Sequence, residues 1–264
     1  MTVATSLADH IAVHEELFAH YDALSARLTG EELAQPSLCP GWDHRTVISH
    51  TIGVDHVLRQ WQPSTEQPPQ FADIGAYQAA LAGLAPADFA ARIAETTASR
   101  LEQMRGFDPR IAEQPSITPA GIADYGRFLQ VRAFDLWVHS RDIAIPMGEE
   151  VTNTALVAGT ALQEVVDSVG YIVGKKIGLP DGMSIVFHVE GDGGRDIPVV
   201  VDGRATVTDS VDAPDAEVSA DISTFMMLAA GRIDAREQVD AGRVTWSGDP
   251  EWGERAALNL AYTR

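Results

Sequence analysis

The feature that most constrains this chain is a change of hydrophobic period near residue 180. From residue 5 to about 175, apolar positions recur every three or four residues, the spacing that gathers them on one face of a helix. Leu7, Ile11, His14, Phe18, Tyr21, Leu24 and Leu28 mark the first such face, and Gly30 stands where a helix takes its C-terminal glycine. The turn-rich loop "QPSLCPGWDHRT" leads to a second helix from about 43 to 61, with Val47, His50, Val54 and Val57 on one side. The prolines between 62 and 75 read as a connection, and a third helical stretch covers about 75 to 105. A loop, "FDPRIAEQPSITPAG", precedes a fourth helix from about 120 to 144. Four amphipathic segments with intervening loops predict an antiparallel four-helix bundle, and a fifth helix, 151–177, closes this half or bridges to the next.

Beyond residue 183 the alternation is that of strands. "MSIVFHVEG" and "RDIPVVVDG" are joined by "GDGGR", which is hairpin chemistry, and "RATVTDS" and "AEVSAD" read as further short strands. "ISTFMMLAAGRI" is a helix ending at Gly231, "RVTWSG" a strand and "PEWGERAALNLAY" a terminal helix. The predicted fold class is therefore α+β in two domains, a helical bundle over 1–178 and a small α+β domain over 179–264.

Charge and cysteine usage narrow the function. A net charge of -19 argues against a nucleic-acid partner, because phosphate binding needs clustered Lys and Arg. The N-terminus lacks the basic and apolar regions of a signal peptide, and no run of about 18 apolar residues predicts a membrane span. Cys39 is the only cysteine, so no intrachain disulfide can form, and a reducing cytoplasm is the expected setting. Before the Pro40-Gly41 turn, Cys39 reads as a small buried residue.

One stretch departs from the amphipathic rule. "RAFDLWVHSRD" sets Arg132, Asp135, His139 and Asp142 three and four residues apart amid Phe134, Leu136, Trp137 and Val138. Residues at these spacings share a face, so the stripe is either a solvated ion-pair row or part of a metal site. His50 sits on the apolar side of the second helix, where a lone histidine is commonly a satisfied core residue. Taken together, one histidine from one helix and an Asp-x-x-x-His pair from another make a two-histidine, one-carboxylate set. Such a set leaves coordination positions open, as catalytic sites require. His14 reads as a core residue, His44 as facing water, His56 as off the His50 face, and His188 as a strand residue. Asp142 is either an acceptor for an imidazole N–H or an ordinary helix-end charge. Trp42 and Trp137 read as packing residues.

"CPGWDHRTVISHTIG" (39–53) and "RAFDLWVHSRDIA" (132–144) resemble the two ligand-bearing segments of the mycothiol-dependent maleylpyruvate isomerase family, a branch of the DinB-like metal-binding bundles. "ADISTFMMLAAGRIDA" and "VTWSGDPEWGERAALNL" resemble the sterol-carrier-protein-like domain that follows the bundle in that family. The resemblance implies a divalent metal, usually zinc, held by His50, Asp135 and His139, with Asp135 standing where the best-known member of the family has Glu. It also implies mycothiol as thiol cofactor or co-substrate. Arg132 is a candidate catalytic residue, pairing either with Asp135 or with a substrate carboxylate, and Arg232 in "AAGRID" a candidate catalytic and cofactor-binding one.

The implied function is metal activation of a low-molecular-weight thiol, because only the thiolate attacks and the free thiol's pKa lies above neutrality. The thiolate then serves either S-transfer to a small electrophile or thiol-assisted cis–trans isomerisation, and the chain would act as a monomer or homodimer. A non-catalytic small-molecule or lipid-binding protein is the alternative. An iron oxygenase has suitable ligand types, but those enzymes usually carry them on a β-barrel.

Overall fold

The computed structural model describes residues 3–119 and 121–263. Residues 1, 2, 120 and 264, which belong to the expected domain spans and to the expected start of the fourth helix, lie outside the described residues. The chain divides into two compact units, Val3–Val157 and the stretch from Ala158 onward. The division thus falls within the first turn of the fifth helix, whereas the expected spans, 1–178 and 179–264, meet after that helix.

In the first unit α1 (Leu7–Arg27) starts at Ser6, whose hydroxyl accepts the Asp9 N–H while the Asp9 carboxylate accepts the Ser6 N–H. That capping box satisfies two of the donors a helix start leaves orphaned. The helix stops before Gly30. Leu28 is extended, Thr29 caps a new short helix, α2 (Gly30–Leu33), and Gly30 is its first residue instead of a left-handed terminator. α3 (His44–Leu58) begins behind Asp43, whose carboxylate accepts the Thr46 N–H at 2.7 Å.

The expected third helix is two. α4 (Ile74–Leu81) is separated from α5 (Pro86–Arg105), which takes its proline in the first turn, where no N–H is needed. The segment read as a loop before the fourth helix contains an antiparallel hairpin, β1 (Pro115–Thr118) with β2 (Gly121–Asp124). Asp124 then caps α6 (Tyr125–Ala144) by accepting the Arg127 N–H.

The bundle is made by α1, α3, α5 and α6, with α1 and α3 each packed on both α5 and α6. Val13, Leu17, Phe18, Tyr21, Ile48, Ile52, Phe89, Leu129 and Trp137 are almost wholly buried in it. Burying each such side chain contributes roughly 1.5–3 kcal/mol. The Tyr21 hydroxyl donates to the Leu136 carbonyl at 2.9 Å, so the phenol is buried without an orphaned donor.

The second unit opens with α7 (Ala155–Tyr171), which starts just before the division and continues as a π-helical turn, Ile172–Ile177. The turn ends at Gly178, whose φ of 71° suits a residue without Cβ. By length and composition Ala155–Ile177 could cross a membrane, but most of it is buried within the protein, as a core helix would be.

Five strands follow: β3 (Ser184–Glu190), β4 (Asp196–Asp202), β5 (Arg204–Val207), β6 (Ala216–Asp221) and β7 (Val244–Gly248). Their order is β5-β4-β3-β6-β7, antiparallel except for the parallel β3–β6 pair. Ile185, Phe187 and Val189 alternate toward the buried face, and Phe187 meets Phe225 of α8 (Ile222–Ala229) at 5.7 Å between ring centres. α9 (Ala235–Asp240) and α10 (Pro250–Leu258) complete the unit.

Two buried histidines make the bundle acid-sensitive. His14 is fully buried and donates Nδ1–H to the His10 carbonyl at 2.8 Å, and its pKa is pushed well down by burial. His10, also buried, is lowered to about 4 by the same desolvation, partly opposed by Asp9 and Asp124. Because His10 titrates lower in the folded state than its usual 6.5, protonation favours the unfolded chain. Its contribution is complete above pH 6.5 and disappears as pH falls toward 4. Urea denaturation at pH 7 and pH 4.5 should therefore show a loss in the wild type that exceeds the loss in His10→Gln by roughly 2–3 kcal/mol.

Candidate functional site

α3 and α6 face one another, and the polar groups of the stripe meet His50 there. The His50 and His139 rings lie 5.9 Å apart, nearly perpendicular at 76°. Asp135, one turn before His139 on α6, places Oδ1 3.5 Å from His139 Nε2. The Trp42 ring, 4.7 Å away, packs on His50.

The orientation of His139 comes from its other nitrogen. Nδ1–H donates to Asp142 Oδ2 at 2.8 Å, so the lone pair of the neutral ring belongs to Nε2, on the side of Asp135. Asp142 is wholly buried and is the imidazole acceptor rather than a helix-end charge. Cys39, buried as expected, donates its S–H to the same Oδ2 at 3.1 Å, and its sulfur lies 3.7 Å from His139 Nδ1. The Leu38 N–H bonds to the Asp142 carbonyl and holds this loop against α6.

His139 therefore has two flanks with different donor sets. Cys39 and Asp142 stand on the Nδ1 side, close enough to count as a compact three-ligand group with the imidazole. Asp135 and His50 stand on the Nε2 side. The Nδ1 side is sealed, and hydrogen bonds to Asp142 Oδ2 tie Cys39 and His139 together there. The Nε2 side is partly open through His50 and Asp135, so a reacting molecule has access only there.

Charge on the open side is strongly coupled. Burial alone would lower the His139 pKa, but Asp135, the Asp142 and Cys39 hydrogen bonds and the Asp142 charge raise it to about 10. Burial likewise opposes ionisation of Asp135, yet His139, Arg132 and His50 hold it below the usual carboxylate value. His50 is lowered, chiefly by burial. Two carboxylates thus draw a positive charge onto His139, and a cation between Asp135, His139 and His50 would meet the same demand. Two imidazoles and one carboxylate from facing helices are donors that suit a small divalent ion.

Arg132 is buried and occupied on three sides. Nη1 pairs with Asp135, while Nη2 donates to Asp55 Oδ2 at 2.7 Å and to the Thr51 carbonyl at 3.2 Å. Burial would lower its pKa, but Asp55 and Asp135 together keep it above the usual arginine value. Asp55, with no exposed surface, lies 3.6 Å from the Nε of fully buried Arg100, whose Nη2 donates to the Tyr125 hydroxyl at 2.8 Å. The residues expected at the centre, His50, Asp135 and His139, are brought together, with Arg132 behind Asp135. Arg232 belongs to the other unit, half-buried after α8, with Nη1 donating to the Ala230 carbonyl.

Sequence reading missed Asp55 and the Cys39 contacts. A carboxylate between Val54 and Val57 in an apolar helix was the available signal for Asp55; nothing local announces that Cys39 reaches Asp142. His44, expected to face water, is buried at the start of α3. His56 turns away from the centre and stacks on Tyr77, with ring centres 4.4 Å apart.

Residues 14–144 match the family described as the mycothiol maleylpyruvate isomerase N-terminal domain. The chain is similar to the crystal structure of mycothiol-dependent maleylpyruvate isomerase, 18% identical, and to that of a histidine-to-alanine mutant, 17% identical. Each likeness has a TM-score of 0.60 and covers 93% of this chain and 95% of the other, which establishes a shared fold. A sterol carrier protein 2 from Yarrowia lipolytica covers 38% of this chain and 84% of its own at 15% identity, with a TM-score of 0.28, too low to argue from. Comparison with curated proteins finds no match.

Removing Asp55 would leave Arg132 and Arg100 buried without their shared counter-charge. Breaking a buried pair from one side costs roughly 3–5 kcal/mol. Chemical denaturation of Asp55→Ala should show a loss on that scale, whereas Arg110→Ala, which removes the exposed pair with Asp108, should leave the unfolding midpoint nearly unchanged.

Proposed function

We propose, from the match of residues 14–144 to the mycothiol maleylpyruvate isomerase N-terminal domain and from the shared fold, that the chain is an enzyme of this family that holds a divalent metal, zinc by its donor set, to activate mycothiol for cis–trans isomerisation or for S-transfer to a small electrophile. The observation that carries this reading is the His139 ring. It is fixed at Nδ1 by Asp142, with Nε2 turned to Asp135 and with His50 across the gap. His50, Asp135 and His139 would hold the ion. A divalent cation there supplies the positive charge that lowers the pKa of a coordinated thiol toward neutrality.

The chain's own groups set up that chemistry. Asp142 keeps the His139 proton on Nδ1, and Cys39 buttresses Asp142 from the far side. Arg132 orients the Asp135 carboxylate and is itself fixed by Asp55, which makes it a positioning residue. Trp42 covers one side of His50 and limits water there. The lone buried cysteine suits a reducing cytoplasm.

Elemental mass spectrometry of the purified protein should find about one divalent metal per chain, lost in His50→Ala and His139→Ala while circular dichroism retains the helical signal. Metal retained in both variants, or none in the wild type, would sink the reading. Asp142→Asn should keep the fold but weaken metal affinity about 10–100-fold, the usual effect of losing the acceptor behind a ligating imidazole. A competition titration with a chromogenic chelator measures it.

A further inference from the structure

A cavity of about 310 Å³ lies in the helical unit directly beside Asp135. Its walls are Val54, Phe71, Ile74, Pro119, Phe128 and Val131, and its polar end is formed by Arg132 and Asp135. The volume is at the lower end of what small-molecule sites offer. Val54 is one turn beyond His50 on α3, and Asp135 belongs both to this wall and to the candidate centre. A molecule in the cavity therefore meets Asp135, the residue that the wall shares with that centre.

The chemistry of the walls selects the occupant. Apart from the Arg132–Asp135 end, every described wall residue is aliphatic, aromatic or proline. Arg132 is the only cation among them, and its two terminal nitrogens are engaged by Asp135, Asp55 and the Thr51 carbonyl. A dicarboxylate placed here would lose its hydration beside the Asp135 carboxylate, with no uncommitted cation in the described wall to receive it. An apolar body loses nothing on entry and covers Phe71, which is 42% exposed at the rim.

We infer that this cavity binds the uncharged aryl or short-alkyl body of the electrophile, so that the enzyme prefers neutral, apolar substrates to dicarboxylates. This rests on the thiol-activation reading for the chemistry, though not for the binding. Atoms of the substrate that react would lie toward Asp135, and the inert hydrocarbon toward Phe128 and Val131.

Two unreactive probes test it on the protein as purified, with its metal. Isothermal titration should show 4-phenyl-2-butanone, a neutral aryl ketone, binding at least about tenfold more tightly than succinate. Val131→Asp, which puts a charge in the wall, and Phe71→Ala, at the exposed rim, should each weaken the ketone about tenfold or more without changing metal content. Succinate binding as tightly as the ketone would overturn the inference, as would ketone binding unaffected in Phe71→Ala. The two readings fail separately. Ketone binding that responds to these variants in a protein without metal removes the thiol chemistry and leaves the cavity assignment. A metal-loaded protein that ignores the ketone removes the cavity assignment alone.

Discussion

The buried Asp55 carboxylate is the constraint on which the helical unit depends. It stands on α3, faces Arg132 of α6 and Arg100 of α5, and has no contact with water. Charges so placed are tolerated only when paired, so the three helices are held to the arrangement that pairs them. The same arrangement fixes the candidate centre. Arg132 meets Asp55 through one nitrogen and Asp135 through another, and Asp135 in turn lies beside His139 Nε2. Moving α6 by one residue would separate Arg132 from Asp55 and turn Asp135 and His139 away from His50.

The second organising element is an imidazole with unequal sides. Cys39 and Asp142 close the Nδ1 side in a dry pocket, and Asp135 and His50 keep the Nε2 side partly open. A sealed flank holds the ring, and an open flank can serve chemistry. The apolar cavity has Asp135 in its wall, the residue it shares with the open flank. A ring free to turn could not present the same nitrogen to a cation at every encounter, which is why an acceptor behind the ligand matters as much as the ligand.

Much of this was legible residue by residue. The stripe from Arg132 to Asp142 and the core-facing His50 pointed to the centre, because helical spacing places residues three or four apart together. "GDGGR" announced the β3–β4 hairpin. Gly30, His44 and the stretch from 75 to 105 misled for definite reasons. Gly30 follows a threonine that caps a new helix, His44 enters the core at the first turn of α3, and residues 82–85 interrupt an otherwise unbroken period. The β1–β2 hairpin is short and buries Ser116 and Thr118 rather than apolar side chains, so it shows no hydrophobic period of two.

Local sequence by itself determined where most helices and strands form, which faces are apolar, and that Asp135 and His139 share one helix face while His50 lies on the apolar side of another, because these follow from spacings of a few residues. Only the tertiary structure decided that Asp55 anchors Arg132 across 77 residues and that Cys39 reaches His139 across 100. It alone set β3 parallel to β6 and left a cavity beside Asp135. These depend on which distant groups the packing brings within a few ångströms, and no local period carries that information.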